Sequence, residues 1–412
     1  MTAALAAVFL FGFNVFMSHL MNTYNRQPVI FTHGEGIWLW DDHGNKYLDA
    51  LAGVAVNGLG HAHPKLVKAI SGQAAKLIHV SNIYHIAEQE ALADKLAEIS
   101  GMDNVFFCNS GCEANEAAIK LARLYGHNKG IDTPEIIVME RSFHGRTMAT
   151  LSATGNRKAQ AGFEPLVSGF IRVPYDDLEA VKQIASRKNN VVAILVEPVQ
   201  GEGGVQIPAD MAAYLQGLRK VCDDNGWLMM LDEVQSGIGR TGTWFAFQHT
   251  GMTPDVMTLA KGLGSGVPIG ACVAKGTAAD IFTPGKHGST FGGNPLATTA
   301  GLTTLNVIQD EKLRENAHKM GDLICAQLRA TLSDVAGAAK GVVSIRNAGL
   351  MIGIELDRSC AELVKMALET KLLINVTAEK VVRLLPPLVI SEAEANELAA
   401  RLSVLIKQFL SQ

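Results

Sequence analysis

Many features that would make this sequence easy to classify are missing. The net charge is −4 and its 36 Lys and Arg form no block, so a nucleic-acid surface has no electrostatic support. The six cysteines (Cys108, Cys112, Cys222, Cys272, Cys325 and Cys360) make no CxxC and no Cys/His cluster. That spacing gives no metal module and no disulfide scaffold. Free thiols in a reducing, cytoplasmic compartment are the expectation. No GKS or GKT follows a glycine-rich turn, so there is no P-loop. Gly262-Leu263-Gly264-Ser265-Gly266 imitates a dinucleotide-binding turn, but Pro268 follows it and no helix pattern does. Internal repeats, low-complexity segments and Pro/Ser-rich linkers are also lacking.

Apolar residues are plentiful, at 48% of 412 residues. That length exceeds one compact core, so two lobes or two domains are expected. Thr2 to Met17 carries no charge. The run is short for a membrane span, and it has no basic start or small-residue cleavage site of a secretory signal. We expect the natural start at Met17 or Met21, with residues 1–20 an over-extended leader and a membrane anchor the lesser alternative. N-terminal sequencing of native protein tests this, and an intact leader contradicts it.

Further on, periods change in an ordered way. Gly36 to Asp49 predicts a β-hairpin around Asp41-Asp42-His43-Gly44-Asn45. Helices are expected over Pro64–Leu77, Glu88–Ile99, Cys112–Tyr125 and Pro208–Asn225. Buried strands are expected at Val105–Cys108, Ile136–Met139, Val191–Val196 and Trp227–Leu231. This alternation predicts a large α/β domain over about 70–305 with a mostly parallel sheet. After it we expect one long helix, Thr303–Leu332, then a smaller α/β domain over 306–412 that residues 21–69 join.

Within the large domain two polar residues stand where apolar runs stop. Trp227–Leu231 ends in Asp232, and Val256–Ala260 ends in Lys261. Ligands of open α/β sheets bind just beyond the carboxyl ends of the strands. A lysine walled by apolar residues loses its proton readily and becomes an amine nucleophile. An aspartate nearby could pair with a cationic ring nitrogen, the combination that pyridoxal phosphate chemistry uses. A structural ion pair is the plainer alternative. Ser110 and Glu113 fit a capping box, and the helix start behind Gly111 suits a phosphate. Phe143 could stack on a flat ring, with His144 beside it, and Arg146 offers a planar fork for a carboxylate; core packing and a surface ion pair are their ordinary uses. Glu197 and Glu202 could be an acid/base pair, but no third group suggests a metal, and Glu202 reads better as an arginine's partner. Ser289-Thr290 could bind phosphate or cap the helix at Pro295.

Taken in order, these motifs resemble the class III aminotransferases, pyridoxal-phosphate enzymes of fold type I. The most specific are Ser110-Gly111-Cys112-Glu113-Ala114-Asn115, Phe143-His144-Gly145-Arg146, Leu231 to Gly242, Lys261-Gly262 and Ser289 to Asn294. The resemblance runs from about Tyr24 to the end. It implies that Lys261 is the Schiff-base lysine and proton carrier, that Asp232 pairs with the pyridine nitrogen, and that Gln235 lies near the ring hydroxyl. It implies that Phe143 and Val234 cover the two ring faces and that Gly111 and Cys112 give backbone N–H groups to the phosphate. Thr290 then reaches the phosphate of a neighbouring subunit, which implies a homodimer. Cys112 departs from the family's usual Thr or Ala; a backbone contact survives that change.

Within the family the likeness is closest to members acting on N2-acetylornithine. It rests on Asn25 to Val29, Leu48 to Val56, Gly58 to Pro64 and Arg383 to Leu388. It implies transfer of a δ-amino group to 2-oxoglutarate, giving N-acetylglutamate 5-semialdehyde and glutamate in arginine biosynthesis. Arg146 and Ser289, with Tyr24 helping, then hold the donor carboxylate. Arg383 binds the α-carboxylate of glutamate or 2-oxoglutarate, and Glu202 covers Arg383 in the other half-reaction. Succinylornithine, N-succinyldiaminopimelate, ornithine and 4-aminobutyrate are alternative donors, and a non-catalytic pyridoxal-phosphate-binding protein is the alternative of another class. No metal is implied.

Overall fold

A computed structural model describes residues 19–337 and 339–412. Most of the expected leader therefore lies outside the described residues. Residues up to Ile30 form one unit and Phe31–Gln412 a second. Among the described residues of the first unit, Tyr24 is exposed and lies under the Arg26 guanidinium, 5.7 Å from its ring centre. Among the described residues no helix is long and apolar enough to cross a membrane.

Phe31–Gln412 carries three sheets. The largest has seven strands, in the order Asn104–Cys108, Gly270–Ala274, Val256–Leu259, Leu228–Asp232, Val191–Val196, Glu135–Met139 and Phe170–Val173. The last five run parallel, and Gly270–Ala274 is antiparallel to both its neighbours. Val191–Val196 and Leu228–Asp232 are buried along their whole length, as parallel strands covered on both faces must be. Their side chains alternate between two helical layers. Leu228 and Met230 join the cluster of Ala117, Ala118, Leu121 and Ala122 from the helix Gly111–Asn128. Met229 and Leu231 join the cluster of Tyr214, Leu215 and Leu218 from the helix Met211–Asn225. The period of two then turns Asp232 toward the layer of the helix Gly111–Asn128.

A second sheet holds the expected hairpin, Trp38–Asp41 and Lys46–Asp49, with Phe31–Glu35 added before it. The turn is set by Asp41, whose carboxylate accepts from His43 N (3.0 Å), Asn45 N (2.8 Å) and the Tyr47 hydroxyl (2.9 Å). Lys46–Asp49 pairs in parallel with Leu372–Leu373. The third sheet runs Val342–Ala348, Met351–Leu356, Val381–Leu384, Asn375–Thr377. One expectation is corrected here. The single helix over Thr303–Leu332 is two, Pro295–Asp310 and Leu313–Thr331. Lys312 between them takes a left-handed conformation (φ 53°), and Glu311 is held by Lys65 at 2.9 Å, so the chain turns there.

Candidate active site

Because the central strands are parallel, their carboxyl ends meet at one edge. Asp232 closes one strand, Glu197 follows a second, Lys261 a third, and Phe143-His144 lie beyond the end of a fourth. Around that edge is a cavity of ≈ 350 Å³. Of the residues singled out in the sequence, Ser110, Gly111, Cys112, Phe143, His144, Glu197, Glu202, Asp232, Val234, Gln235 and Lys261 line it.

Asp232 is 5% exposed and firmly fixed. Its Oδ2 accepts from Asn115 Nδ2 at 2.7 Å and pairs with His144 Nδ1 at 2.8 Å, and its Oδ1 accepts from Val234 N at 3.0 Å. Asn115 stands on the helix layer that Asp232 faces, and its Oδ1 accepts from the Thr258 hydroxyl at 2.7 Å. Three partners on one buried carboxylate fix its position and orientation. His144 Nε2 is buried and has no partner among the described residues.

Lys261 takes a left-handed backbone conformation (φ 45°), which costs a non-glycine residue on the order of 1 kcal/mol. Strain of that kind gathers at working sites. Its amine makes no hydrogen bond with the described residues. Burial, with the Arg383 guanidinium second, holds the amine below its usual range. Glu197 is 5% exposed, and burial pushes its carboxyl up to about 7.

The wall opposite is the start of the helix Gly111–Asn128. Ser110 caps it by accepting from Glu113 N at 3.2 Å. The expected capping box is altered: Glu113 reaches back to Asn109 N (2.6 Å) and to the Ser110 hydroxyl (3.3 Å). Gly111 and Cys112 supply the unpaired N–H groups that every helix start presents. A Cβ at Gly111 would come within 2.8 Å of Val234 Cγ1, so glycine lets Val234 close on the helix start.

Arg383 lies beside the cavity and is 2% exposed. It donates through Nη1 to Glu202 Oε1 at 2.7 Å and to Gln235 Oε1 at 3.4 Å, and through Nη2 to Asn375 Oδ1 at 2.7 Å. The other expected residues stand further out. Ser289 Oγ accepts from the cavity-lining Asn109 at 3.4 Å and from Gly292 N at 2.9 Å. Asn294, rather than Ser289 or Thr290, caps the helix at Pro295. Thr290 is exposed. Arg146 is exposed as well, with its guanidinium 5.5 Å from the Phe143 ring centre. Tyr24 belongs to the separate unit that ends at Ile30.

Asn115, Thr258 and Asn375 were not among the expected residues. The stretch Ser110 to Asn115 contains the first of them, but nothing in it announces a carboxylate partner.

The aminotransferase class-III family model matches residues 20–406. An acetylornithine aminotransferase of Nitrosomonas europaea is 63% identical over 394 residues, covering 96% of this chain and 99% of that protein. Acetylornithine aminotransferase 1 of Bordetella pertussis is 58% identical over 395 residues, with 96% and 99% covered. Among solved structures, the ornithine aminotransferase of Toxoplasma gondii ME49 matches with a TM-score of 0.90 at 34% identity, covering 95% of this chain and 93% of that one. The acetylornithine aminotransferase of Elizabethkingia anophelis matches with a TM-score of 0.83 at 35% identity, covering 95% and 97%.

Proposed function

The chain belongs to the class III aminotransferases, and from that premise we propose that it moves the δ-amino group of N2-acetylornithine to 2-oxoglutarate. The observation that carries the donor is the 63% identity to an acetylornithine aminotransferase across 96% of the chain. The covered charge of Arg383 beside an amine-bearing cavity agrees with it.

Family membership implies pyridoxal phosphate, and the donors around the cavity suit it. An anionic phosphate matches the N–H groups and positive dipole end at Gly111 and Cys112. A ring nitrogen matches the pinned Asp232 carboxylate. Phe143 and Val234 are the apolar groups for its faces, Gln235 is a polar partner for its hydroxyl, and Lys261 is the amine for its aldehyde. When bound, the group supplies an electron sink that makes the carbon next to the reacting nitrogen acidic.

The rest of the chemistry belongs to the chain. The Lys261 amine, held below its ordinary range by burial, takes that carbon's proton and returns it elsewhere. Asp232 is held in one place by Asn115, His144 and Val234. Arg146 and Ser289 hold the carboxylate of acetylornithine. In the first half-reaction Glu202 neutralises Arg383, so an uncharged carbon chain meets no bare cation. In the second, the carboxylate of 2-oxoglutarate replaces Glu202 on Arg383. One site thereby serves two unlike amines.

Thr290 stands on the rim beside Phe291, which is 62% exposed; Ile78, Ile83 and Tyr84 are also exposed, at 54%, 80% and 63%. Asn82 ties this segment to the rim by donating to Ser289 O (3.0 Å) and Gly292 O (2.9 Å). A second copy of the chain is the occupant we assign to this apolar face, with Thr290 completing the phosphate site across the dimer. We keep the division into 70–305 and 306–412, with 21–69 joining the smaller part; the pairing of Lys46–Asp49 with Leu372–Leu373 supports it. Free cysteines agree with a cytoplasmic enzyme.

The test of the donor is a ranking of kcat/KM with 2-oxoglutarate as acceptor. N2-acetylornithine should lead ornithine and 4-aminobutyrate by about tenfold or more. A lead for either unacylated amine overturns the assignment.

A further inference from the structure

Glu197 has no part in the roles above, yet it is built into the cavity wall with both oxygens used. Its Oε1 accepts from Phe143 N at 2.9 Å and its Oε2 from Gly201 N at 3.1 Å. These two N–H groups come from different parts of the chain. Phe143 follows the strand Glu135–Met139, and Gly201 opens the turn that bears Glu202. Gly201 is also fixed from the other side, because a Cβ there would collide with the Gln235 side chain. Gln235 in turn accepts from Arg383. A chain of contacts thus runs from Phe143 through Glu197 to Gly201, and from there to the Glu202–Arg383 pair.

Resting on the aminotransferase reading above, we propose that Glu197 is a positioning residue: its carboxylate ties the Phe143 wall to the turn bearing Glu202 and so sets how firmly Glu202 covers Arg383. The physical basis is an asymmetry between the two members of that pair. Arg383 is 2% exposed and has Asn375 and Gln235 as further partners besides Glu202. The Glu202 side chain is 37% exposed and among the described residues bonds only to Arg383, while its backbone carbonyl accepts from the Thr377 hydroxyl at 2.5 Å. Its residence there therefore depends on the backbone that carries it. An anchored turn presents Glu202 already in place. A loose one must be ordered each time the pair forms. Loosening the turn accordingly uncovers Arg383 without displacing it. That favours amines carrying a carboxylate at the reacting carbon over the acylated diamine.

Glu197→Gln keeps the size and at least one acceptor but faces one backbone N–H with an amide N–H. Stopped-flow half-reactions of the holoenzyme give kcat/KM for glutamate and for N2-acetylornithine separately. The ratio of glutamate to acetylornithine should rise about tenfold in the variant, the effect of one hydrogen bond. In a Glu202→Gln background the same change should move the ratio less than about twofold, because the residue it acts through is gone. The dissociation constant of pyridoxal phosphate from the protein should rise severalfold, since Phe143 loses its tie. If Glu197→Gln does not fold, Glu197→Asp, too short for both N–H groups, should shift the ratio the same way. Equal losses in both half-reactions, or a full shift persisting without Glu202, would overturn the proposal. A wild-type enzyme indifferent to acetylornithine would instead overturn the donor assignment on which it rests.

Discussion

Asp232 lines the cavity and Arg146 stands further out, and their surroundings differ sharply. Asp232 is 5% exposed and has three hydrogen-bonding partners at 3.0 Å or less. Arg146 is exposed, makes no side-chain hydrogen bond among the described residues, and has only the Phe143 ring beneath it. The floor of the site is thus finished within one chain, whereas the rim waits for ligands. A charge that serves every turnover is best fixed in advance, because ordering it during reaction would add to the barrier. A group that must accept one substrate and release it again gains from being loosely held.

If that division is right, damage to the floor removes chemistry and damage to the rim removes affinity. Lys261→Ala should show the largest effect, a loss of turnover on the order of 10⁴-fold or more with pyridoxal phosphate still retained. Steady-state rates together with cofactor content check it, and near-normal turnover would remove Lys261 from the mechanism. Asp232→Asn should keep the neighbours in place and lower kcat by about 10²- to 10³-fold. A change confined to KM would put Asp232 on the rim side of the comparison. Arg146→Ala should raise the acetylornithine KM by about 10- to 100-fold while leaving the pyridoxal phosphate dissociation constant within about twofold. Parallel losses in both would show that rim and floor are one unit.

The smallest effect concerns the energetic cost of a buried floor. Burial raises the Glu233 carboxyl from 4.5 to about 7, although it accepts from the Ser236 hydroxyl and from Ala246 and Phe247 N–H. The unfolded chain releases this proton near 4.5 and the folded chain near 7, so the folded state binds more protons in between. Its contribution to stability therefore falls as pH climbs from about 4.5 to about 7, by an amount on the order of a few kcal/mol, and then levels off. Partial desolvation holds His249 and His287 low, which pushes the whole-protein slope the other way. The difference between wild type and Glu233→Gln in urea midpoints from pH 5 to 8 isolates the carboxyl. Wild type should lose ground against the variant as pH rises; a constant difference would contradict the assigned burial effect.

The same contrast explains which parts of the molecule could be read from the sequence. Val191–Val196 and Leu228–Leu231 announced themselves because strands buried on both faces are apolar throughout. Gly270–Ala274 did not. It is a run of small residues, and its reversed direction arises only from pairing with strands far apart in the chain. The break at Lys312 was hidden because Gln309-Asp310-Glu311-Lys312 holds no Gly or Pro to mark a stop. In the site, Asp232 and Lys261 were visible as polar residues ending apolar runs. The Asn115–Thr258 bond joins residues 143 positions apart, and no local pattern reports it. Glu197 was left without a role, since neither an acid/base pair nor a metal site suited it. Its partners are the backbone N–H groups of Phe143 and Gly201, which leave no mark on side-chain identity.

The central claim is that one finished floor serves two donors through an Arg383 that Glu202 can cover. The visible absorption spectrum of the purified holoenzyme, followed through both additions, tests it most directly. Adding N2-acetylornithine alone should bleach the yellow band, adding 2-oxoglutarate should restore it, and glutamate should bleach it as well. A protein that bleaches with glutamate but stays yellow with acetylornithine would contradict the account.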